Sequence, residues 1–488
     1  MSASSPAHTA PTPYVLYLAM LSIGMGQTVI YAVMPALGRE LGLDAIIVSI
    51  PLLAIDWQPG KLAITSLSAM TALVFALVAP FWGRRSDRVG RKPIILLGLL
   101  GYTLGTLLFN AVAYFGFQGL IGGALLWFLL IASRVIHATI MSAVFPASNA
   151  YIVDITPLAD RAKGLGRMSA ANQLGVLMGP VMAAAVVFGF LTPLFIQAAM
   201  TLFCALLVFY FLREAKATES NVFEVRVSEA KLLSSTESSA PPKPVATDDV
   251  DAEQLEVFEA QISTQVLTEH AGENLGEVAA ARPEAHSDKP LPKLSLFDPR
   301  FRFILPVGFL LYTMQGMVQQ TLGFYCEDVL GMPRIESVKY YATAMMASSV
   351  AMLFAQLLIV QRAALSSTQL MRLGLPFCTL GYGVIALTSS VPGMLAGMMV
   401  FGLGVGMVMP GFTATASYTV SPKEQGSLAG ITGATAGMGF VFGPLMGGVI
   451  YNLSFDAPYI IAGLSLLLLA VYVVKNPRFD NVAAVAVD

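Results

Sequence analysis

Within eleven residues, Gly83-Arg84-Arg85-Ser86-Asp87-Arg88-Val89-Gly90-Arg91-Lys92-Pro93, the chain places five cations around one carboxylate. The glycines allow a tight turn and a close approach of the backbone. Asp87 can lie near the amino terminus of a helix, and Arg88 or Arg91 can lie near a carboxylate. The stretch therefore predicts a loop that latches one face of the protein. The alternative is a solvated loop that only fixes the topology.

Long apolar runs flank this loop, and the whole chain has the composition of a membrane protein. Of its 488 residues, 56% are hydrophobic and 12% are charged, and the mean hydropathy is +0.71. Soluble globular proteins are less apolar than this. The 28 Lys and Arg nearly balance the 30 Asp and Glu, so no basic excess predicts a nucleic-acid partner. The three cysteines show no paired spacing, and we expect no disulfide, metal site or cofactor.

Twelve apolar runs reach the length of about 20 residues that a helix needs to cross a bilayer. They predict an all-α membrane protein with twelve transmembrane helices. A further run at 45–55 is short and contains Pro51, and we interpret it as an interfacial or re-entrant piece of the loop after the first span. The predicted spans are 14–38, 62–82, 93–114, 121–149, 165–189, 191–212, 303–326, 340–361, 369–389, 392–416, 427–450 and 457–474.

The basic residues of the short loops indicate the orientation, because cytoplasmic loops keep the positive charge. Most of these cations fall on the side of the 83–93 loop, and four fall on the other side: Arg39, Lys61, Arg334 and Lys339. We therefore expect both termini in the cytoplasm and the protein in the cell (inner, cytoplasmic) membrane. The polar start of the chain lacks a cleavable signal pattern. The sequence lacks a phosphate-binding loop, so it does not predict ATP-driven transport.

A polar stretch divides the predicted spans six and six. Its residues hold 17 of the 30 carboxylates and a run rich in Ser and Pro, which is typical of a disordered acidic linker. An amphipathic helix near 251–270 is the alternative. The predicted parts are a cytoplasmic tail (1–13), a first six-helix bundle (14–212), an acidic cytoplasmic linker (213–302), a second six-helix bundle (303–474) and a cytoplasmic tail (475–488).

The two bundles repeat one another, and we predict that they are pseudo-symmetric. With a shift of 264 residues, three glycines of span 5, and the proline that follows the last of them, match those of span 11. Internal duplication of this kind is typical of transporters that rock one half against the other. These residues remove side chains and free a carbonyl, which favours close packing and bending at the interface between the halves. The matched sets are Gly166, Gly175, Gly179, Pro180 and Gly430, Gly439, Gly443, Pro444.

These features resemble the major facilitator superfamily. The pattern Gly-x-x-x-Asp-Arg-x-Gly-Arg-Lys at 83–92 is similar to its most specific motif, and Gly175-x-x-x-Gly179-Pro180 is similar to a motif of its drug/proton antiporter branch. The resemblance covers the chain apart from the linker and the first outer loop. It implies a loop that contacts span 11 and the inner end of span 4. The residues of the implied gate are Gly83, Asp87, Arg88, Gly90, Arg91, Lys92, Asp154 and Arg161.

Asp154 is the partner that the resemblance implies for the arginines of this loop. The corresponding loop of the second half, 362–372, has no Asp and no Gly-Arg-Lys. We therefore expect an asymmetric gate.

Two ionisable side chains, Arg134 and His137, lie deep in a predicted span and on one face of it. An intramembrane charge costs roughly 3 kcal/mol on insertion scales, so it usually faces a cavity or a partner. Arg134 either acts in a cavity or pairs with helix carbonyls, and His137 either carries protons or packs as a neutral residue. The resemblance implies an Arg at position 134 and commonly a Gln at 137. Because the first span lacks the carboxylate frequent in the antiporter branch, these two residues are the candidates for proton coupling.

Polar side chains on other spans are candidates for lining a cavity, since the family's spans 1, 4, 7 and 10 surround the central path. They can also serve helix association. Met407 joins them because flexible thioethers suit a pocket that accepts several shapes. Glu327 and Asp328 are interpreted as boundary charges. The cavity candidates are Gln27, Tyr31, Tyr312, Gln315, Gln319 and Met407.

The sequence predicts a secondary active transporter, with proton-coupled efflux of a small amphiphilic compound by alternating access. Alternatives are an exporter of a metabolite or siderophore-like organic acid, which Arg134 could hold by charge, and an uptake symporter. The rival of another class is a non-transporting membrane sensor or a membrane-embedded enzyme, against which stands the lack of any catalytic constellation in the spans. The expected partners are a small-molecule substrate, protons and the lipid bilayer, with no nucleic acid, and we expect a monomer.

Overall fold

The computed structural model describes residues 14–50, 55–156, 161–214, 298–363, 365–420 and 424–480. Most of the predicted linker, the stretch 1–13 and the stretch 481–488 lie outside the described residues. Helices make up nearly all of the described chain, which confirms the predicted fold class.

The first half contains the helices of six predicted spans and one short hairpin. Two consecutive helices, α4 and α5, together form the fourth span. A 3₁₀ turn, Ala184–Phe188, extends α6. The elements are α1 (Tyr14–Glu40), β1 (Val48–Ile50), β2 (Ile55–Trp57), α2 (Lys61–Val89), α3 (Arg91–Phe117), α4 (Gly123–Met141), α5 (Val144–Ile155), α6 (Arg161–Ala183) and α7 (Thr192–Phe211).

The second half contains one helix for each predicted span. A π-helical segment, Ala355–Val360, extends its second helix. The helices are α8 (Leu305–Asp328), α9 (Arg334–Phe354), α10 (Ser367–Leu387), α11 (Val391–Ser417), α12 (Gln425–Leu453) and α13 (Ala457–Lys475).

Eleven helical segments of the described chain are long and apolar enough to cross a membrane. The twelfth span is α8, which has 24 residues but carries several Gln, Gly and Thr residues that lower its mean hydropathy. Gln320 and Thr321 of this helix are fully buried. The polar side of α8 is therefore turned away from lipid. Mean hydropathy alone does not identify this helix as a membrane span.

Helix ends follow local capping rules. The Ser366 side chain accepts a hydrogen bond from the backbone of Gln369, whose own side chain accepts one from the Ser366 backbone and so closes a capping box at the start of α10. Gly90 separates α2 from α3 with a φ of 106°, a conformation that side chains disfavour. The charged stretch at 83–93 is thus the tight connection between two helices that its glycines predict.

The apolar run at 45–55 contains β1 and the first residue of β2, which pair as an antiparallel hairpin, and its place at the membrane interface stays a prediction. Val48 lies opposite Trp57 in the register of β1 and β2. The Trp57 ring packs edge-on against Trp127 of α4, with ring centroids 6.2 Å apart. β-Branched residues at Val48, Ile50 and Ile55 favour this extended conformation over a helix.

The repeated glycines pack in the same way in both halves. A Cβ added to Gly175 would overlap the carbonyl oxygen of Leu21 in α1, and one added to Gly439 would lie 2.5 Å from the Tyr312 Cβ in α8. These glycines therefore press α6 onto α1 and α12 onto α8. Gly175 and Gly439 thus contact the first helix of their own half, while the helices that carry them also pack across the halves, α6 on α9 and α12 on α2.

The bundle has two ends, which we name by their contents. The loop face carries the connection 83–92, and the hairpin face carries β1 and β2. At the hairpin face the halves touch closely: a Cβ on Gly323 of α8 would lie 2.7 Å from Pro35 of α1, and a Cβ on Gly448 of α12 would lie 2.8 Å from the Leu62 Cα of α2. The first helices and the α2–α12 pair thus join the halves at this end.

Candidate functional site

A cluster of charged side chains joins the halves at the hairpin face. Arg39, near the end of α1, donates to Glu327 at 3.1 Å and to Asp328 at 2.5 Å, both at the end of α8. Arg39 also lies 3.6 Å from Asp44, and Arg334 of α9 pairs with Glu40. The side chains of Arg39 and Glu327 are each only 8% exposed. The cluster therefore links three helices through a shielded pair, Arg39 with Glu327, and a more exposed pair, Arg334 with Glu40.

A neutral contact supports this cluster at the same face. The Asn452 side chain at the end of α12 accepts a hydrogen bond from the Lys61 backbone at 3.1 Å and donates one to the Pro59 carbonyl at 3.1 Å. The start of α2 is thereby held by the second half. Together the charged and neutral contacts close the hairpin face.

At the loop face, Arg91 is the centre of the predicted gate. Its Nε donates to Asp154 at 2.8 Å, and its Nη1 contacts Asp87 at 2.5 Å and the Ser86 hydroxyl at 2.7 Å. Asp154 lies near the end of α5, as the resemblance implies. Arg88 is exposed, and within the described residues Arg91 is the arginine of this loop that pairs with a carboxylate.

Where the structure describes them, the polar contacts of residues 83–92 stay within the first half and the start of the predicted linker. No hydrogen bond or ion pair of residues 83–92 reaches the second half within the chain that the structure describes, so the implied contact with span 11 is not formed here. Arg161 begins α6, but its side chain lies outside the described residues.

The helix amino terminus at this face is capped by a residue of the predicted linker. Glu214 accepts the backbone N–H groups of Arg91 at 2.6 Å and of Lys92 at 3.3 Å. A carboxylate at this position satisfies free N–H groups and interacts favourably with the helix dipole. Glu214 therefore takes the place that we predicted for Asp87.

The second half uses different residues at the loop face. Arg300 pairs with Asp298 at 2.9 Å and with Glu424 at 3.0 Å, and the Arg300 guanidinium holds the pKa of the Asp298 carboxyl below its ordinary value through their hydrogen bonds. Arg372 pairs with Asp480 at 2.8 Å. These pairs stay within the second half, which is consistent with the asymmetry that we expect of the gate.

A cavity of about 780 Å³ lies between the two halves. It extends toward the loop face, where Gly83, Pro146 and Gly430 belong to its wall. A Cβ placed on Gly430 or Gly433 would meet no atom within 4 Å. The cavity is therefore open toward the loop face, whereas the charge cluster and the α1–α8 contact close the hairpin face.

Arg134 is buried in the wall of this cavity, with 6% of its surface exposed. Its Nε donates to the Thr71 hydroxyl at 3.0 Å, and its guanidinium carbon lies 5.7 Å from the centre of the Phe109 ring. Within the described residues, no carboxylate forms an ion pair with it. Arg134 thus faces the cavity and neutral neighbours, which favours the cavity role over pairing with a helix carbonyl.

His137 lies beside Arg134 and is 4% exposed. Its Nδ1 is 3.4 Å from Arg134 Nη1, and its ring meets the Tyr102 ring edge-on at 4.7 Å. Gly105 of α3 makes room for it, because an added Cβ would lie 2.6 Å from the His137 Cβ. Both Arg134 and His137 belong to the cavity wall, so the structure brings together the two ionisable groups that we predicted inside the spans.

The predicted cavity residues line this space with one exception. Five of the six belong to the wall: Gln27, Tyr31, Tyr312, Gln315 and Gln319. Met407 does not, because its side chain is buried against Ala355 and Leu370. Met409, two residues further along α11, belongs to the wall instead, since a shift of two residues turns a helical side chain to the other side.

Sequence reasoning missed the residues that close the hairpin face. It interprets Glu327 and Asp328 as boundary charges and Arg39 as a loop cation. Opposite charges at the ends of the matching first and seventh spans were the available signal, although partners in other loops were equally compatible with it. Glu214 was missed because it stands at the border of the acidic stretch.

The chain is similar to known membrane transporters along most of its length. The sequence profile of the Major Facilitator Superfamily matches residues 16–435 and 370–486. Multidrug resistance protein 2 of Bacillus subtilis (strain 168) is 24% identical over 428 residues, which cover 86% of this chain and 87% of that protein. The class B tetracycline resistance protein of Escherichia coli is 32% identical over 161 residues, or 32% of this chain and 36% of that protein.

A solved structure shares the fold. It is a bacterial homologue of the human lysosomal transporter Spinster in an inward-facing and occupied conformation, with a TM-score of 0.58 and 14% identity, covering 99% of this chain and 98% of that one. The family profile spans both halves of the chain. This chain is therefore a member of the Major Facilitator Superfamily, a secondary transporter and not an enzyme.

Proposed function

We propose that this protein exports a small amphiphilic compound across the cell membrane in exchange for protons. The observation that carries the proposal is the cavity between the halves, which is open toward the loop face and closed at the hairpin face. A wall that is apolar over most of its surface and also carries amides, hydroxyls and a guanidinium suits an amphiphile. The names of the relatives, which include multidrug and tetracycline resistance proteins, support efflux.

The loop face is the cytoplasmic side in this proposal, because its loops hold most of the short-loop cations. The structure is then an inward-facing state that receives substrate from the cytoplasm. Both termini and the acidic linker lie on that side, the inner membrane is the location, and the two bundles act as rocking units within a monomer.

The gate at the loop face would close once substrate has bound. In the open state Arg91 is held by Asp87 and Asp154 within the first half. Closure would bring the loop against α12, the helix of the second half in which Gly430 and Gly433 are uncovered in this structure. The loop residues, Asp154 and Arg161 form this gate in our proposal, and the glycines and prolines of α6 and α12 allow these helices to bend.

Proton coupling is assigned to Arg134 and His137. They are adjacent, buried and part of the cavity wall, so substrate and proton would meet in one place. His137 is the member of this pair that exchanges a proton in our proposal, and a different environment in the outward-facing state would change its proton affinity.

Transport into liposomes tests the function. The purified full chain is reconstituted in liposomes, a pH step is applied, and uptake of a panel of amphiphiles is followed with and without a protonophore. Uptake that requires the pH step supports export in exchange for protons. Uptake that is unchanged by the protonophore, or uptake in the direction of proton flow, would instead indicate another coupling ion or a symporter.

Arg134→Ala is the matched inactive form. We expect it to abolish transport while the protein elutes as a single folded species, and Arg134→Lys to restore only part of it, since the planar fork is lost. Full transport by the Ala variant would remove Arg134 from the mechanism.

A further inference from the structure

The wall of the cavity carries an unbalanced charge. Among the described residues that form it, Arg134 is the one side chain with a permanent charge, and the wall contains no Asp, Glu or Lys. His137 is the one other side chain of this wall that can ionise near neutral pH. The remaining polar side chains of the described wall are amides, hydroxyls and phenols. The cavity therefore presents a net positive charge to its contents.

No side chain of the described chain neutralises this charge locally. The hydrogen-bond partners of Arg134 are the Thr71 hydroxyl and the His137 ring, both neutral when His137 is unprotonated. A guanidinium keeps its proton at any pH that a cell experiences. It offers five N–H donors in a planar fork, and two neutral partners leave donors available to a bound group.

The other polar groups of the wall do not select a charge. The side-chain amides of Gln27, Gln315 and Gln319 form no hydrogen bond with the residues that the structure describes, and Gln173 and Gln356 also belong to the wall. An amide both donates and accepts, so it can orient a polar substituent of either kind. Charge selection is thus left to Arg134.

We propose that the cavity selects amphiphiles bearing a carboxylate, which Arg134 binds, and rejects amphiphilic cations of the same size. This inference rests on the proposed function and names its substrate class. The guanidinium fork matches the two oxygens of a carboxylate. A small anionic amphiphile such as an aromatic carboxylic acid fits the chemistry of both the fork and the apolar wall.

The transport cycle strengthens this selection. The cavity must close to both sides during the exchange, and closure removes water from whatever it contains. Closing around Arg134 and a carboxylate buries a hydrogen-bonded neutral pair, whereas closing around Arg134 and a cation buries two like charges. A cationic amphiphile is therefore disfavoured in binding and again in occlusion.

Two probes with one apolar body and opposite charge test the proposal. Dansylglycine carries a carboxylate, and dansylethylenediamine carries an ammonium group at neutral pH. Each is titrated into the purified full chain in a neutral detergent at low salt, and binding is followed by dansyl fluorescence. We expect the carboxylate to bind about tenfold more tightly or better, because charge-assisted bonds to arginine are among the strong polar contacts.

Variants assign the preference to one residue. Arg134→Gln should bring the two affinities close together, and Arg134→Lys should keep a preference for the carboxylate. Gln315→Glu adds a carboxylate to the wall without touching Arg134 and should shift the preference toward the ammonium probe. Arg372→Gln is the matched control, because Arg372 pairs with Asp480 outside the cavity, and it should leave the affinity ratio unchanged.

The outcomes separate this inference from the proposed function. Equal or tighter binding of the ammonium probe, no binding of the carboxylate probe, or an unchanged ratio in folded Arg134→Gln each overturns the carboxylate inference. If Arg134→Gln does not fold, an unchanged ratio in Gln315→Glu overturns it instead. If liposomes accumulate the ammonium probe when a pH step is applied, proton-coupled export is supported and the carboxylate inference is overturned. If the protein binds the carboxylate probe selectively but a proton gradient drives no transport of it, the carboxylate inference stands and proton-coupled export does not.

Discussion

The carboxylates of the gate at the loop face share one partner, Arg91. This arginine is held by two carboxylates, Asp87 and Asp154, while Glu214 caps the helix that it begins. Asp87 is 59% exposed in its side chain and Asp154 is 22% exposed. The more exposed carboxylate is free to change partners when the gate moves, whereas Asp154 anchors the arginine to α5.

Asp87→Asn should therefore slow transport with normal membrane insertion. The substitution removes a charge from an exposed pair worth up to about 1 kcal/mol, so a closure step that depends on this pair should slow by up to about fivefold. Transport is measured in liposomes at equal protein content, with Asp480→Asn as the control because it removes a carboxylate from the loop face of the second half. Wild-type rates in Asp87→Asn would reject the latch.

His137→Gln tests the proton pathway at the level of one side chain. Glutamine keeps a polar group beside Arg134 but cannot exchange a proton, so we expect substrate binding to persist while pH-driven transport is lost. The measurements are substrate-induced proton release from the purified protein and uptake after a pH step. If both survive the change, the coupling group must be sought elsewhere, first at the carboxylates of the hairpin face.

Helix pairs show how the two halves reuse one design. The equivalent glycines let α6 lie on α1 and α12 lie on α8, so that each half has one such pair. Other glycines of the same helices, Gly166 and Gly430, face open space: a Cβ on either would meet nothing within 4 Å. The repeat therefore contains both packing glycines and glycines that packing does not require in this conformation.

Alanine substitutions should destabilise the protein at the packing glycines and leave its stability unchanged at the uncovered ones. Gly175→Ala or Gly439→Ala forces a Cβ into the partner helix and should destabilise the protein by about 1–3 kcal/mol through overpacking. Gly166→Ala and Gly430→Ala are the matched controls and should unfold like the wild type. The apparent melting temperature in detergent is the measurement, and equal melting of the two sets would contradict the packing that we describe.

The ends of α1 and α8 meet in the charge cluster, and a charge reversal there should open the hairpin face. Arg39→Glu places an anion beside Glu327 and Asp328 and should weaken closure by about 2 kcal/mol, a value between exposed and buried pairs. The population of the open face would rise roughly 30-fold. Spin labels at Ile47 and Phe455, which are 51% and 46% exposed, report the distance across this face.

The swapped pair provides the control for this prediction. Arg39→Glu combined with Glu327→Arg restores opposite charges across the halves, so the distance distribution should return toward that of the wild type. A single variant that stays closed, or a double variant that stays as open as the single one, would show that the cluster does not hold the face shut.

The whole molecule combines an open loop face with a closed hairpin face, and exchange between these states should be visible from either side. The native cysteines, Cys204, Cys326 and Cys378, are buried, so an introduced cysteine reports on access. Gly433→Cys, in the uncovered part of α12, should react with an impermeant thiol reagent from the loop face. Met345→Cys, which is in the cavity wall and 8% exposed, should resist the reagent from the hairpin face.

Conditions that drive export should reverse this pattern. With a transported compound and an opposed pH step, labelling of Gly433→Cys should fall and labelling of Met345→Cys from the hairpin face should rise. Labelling that is the same under both conditions would argue against alternating access in this protein.

Several features of this protein follow from the sequence by itself. The spans, the division into two repeated halves and the charged connection at 83–92 are local properties: apolar length, charge and glycine act on the segment that contains them. The buried pair Arg134 and His137 was also predictable, because an ionisable group deep in a span is unusual wherever its partners lie. The stripe of Gln315 and Gln319 was predicted from helical periodicity.

Only the tertiary structure decided which groups meet across the molecule. Arg39 and Glu327 are separated by 288 positions, and no local pattern pairs them in preference to other loop charges. The capping role of Glu214, the turn of Met407 away from the cavity and the pairing of β1 with β2 depend in the same way on neighbours that the chain brings together by packing. Side-chain direction and partner choice are set by the relative position of helices, whereas a segment's tendency to cross the membrane is set by its own composition.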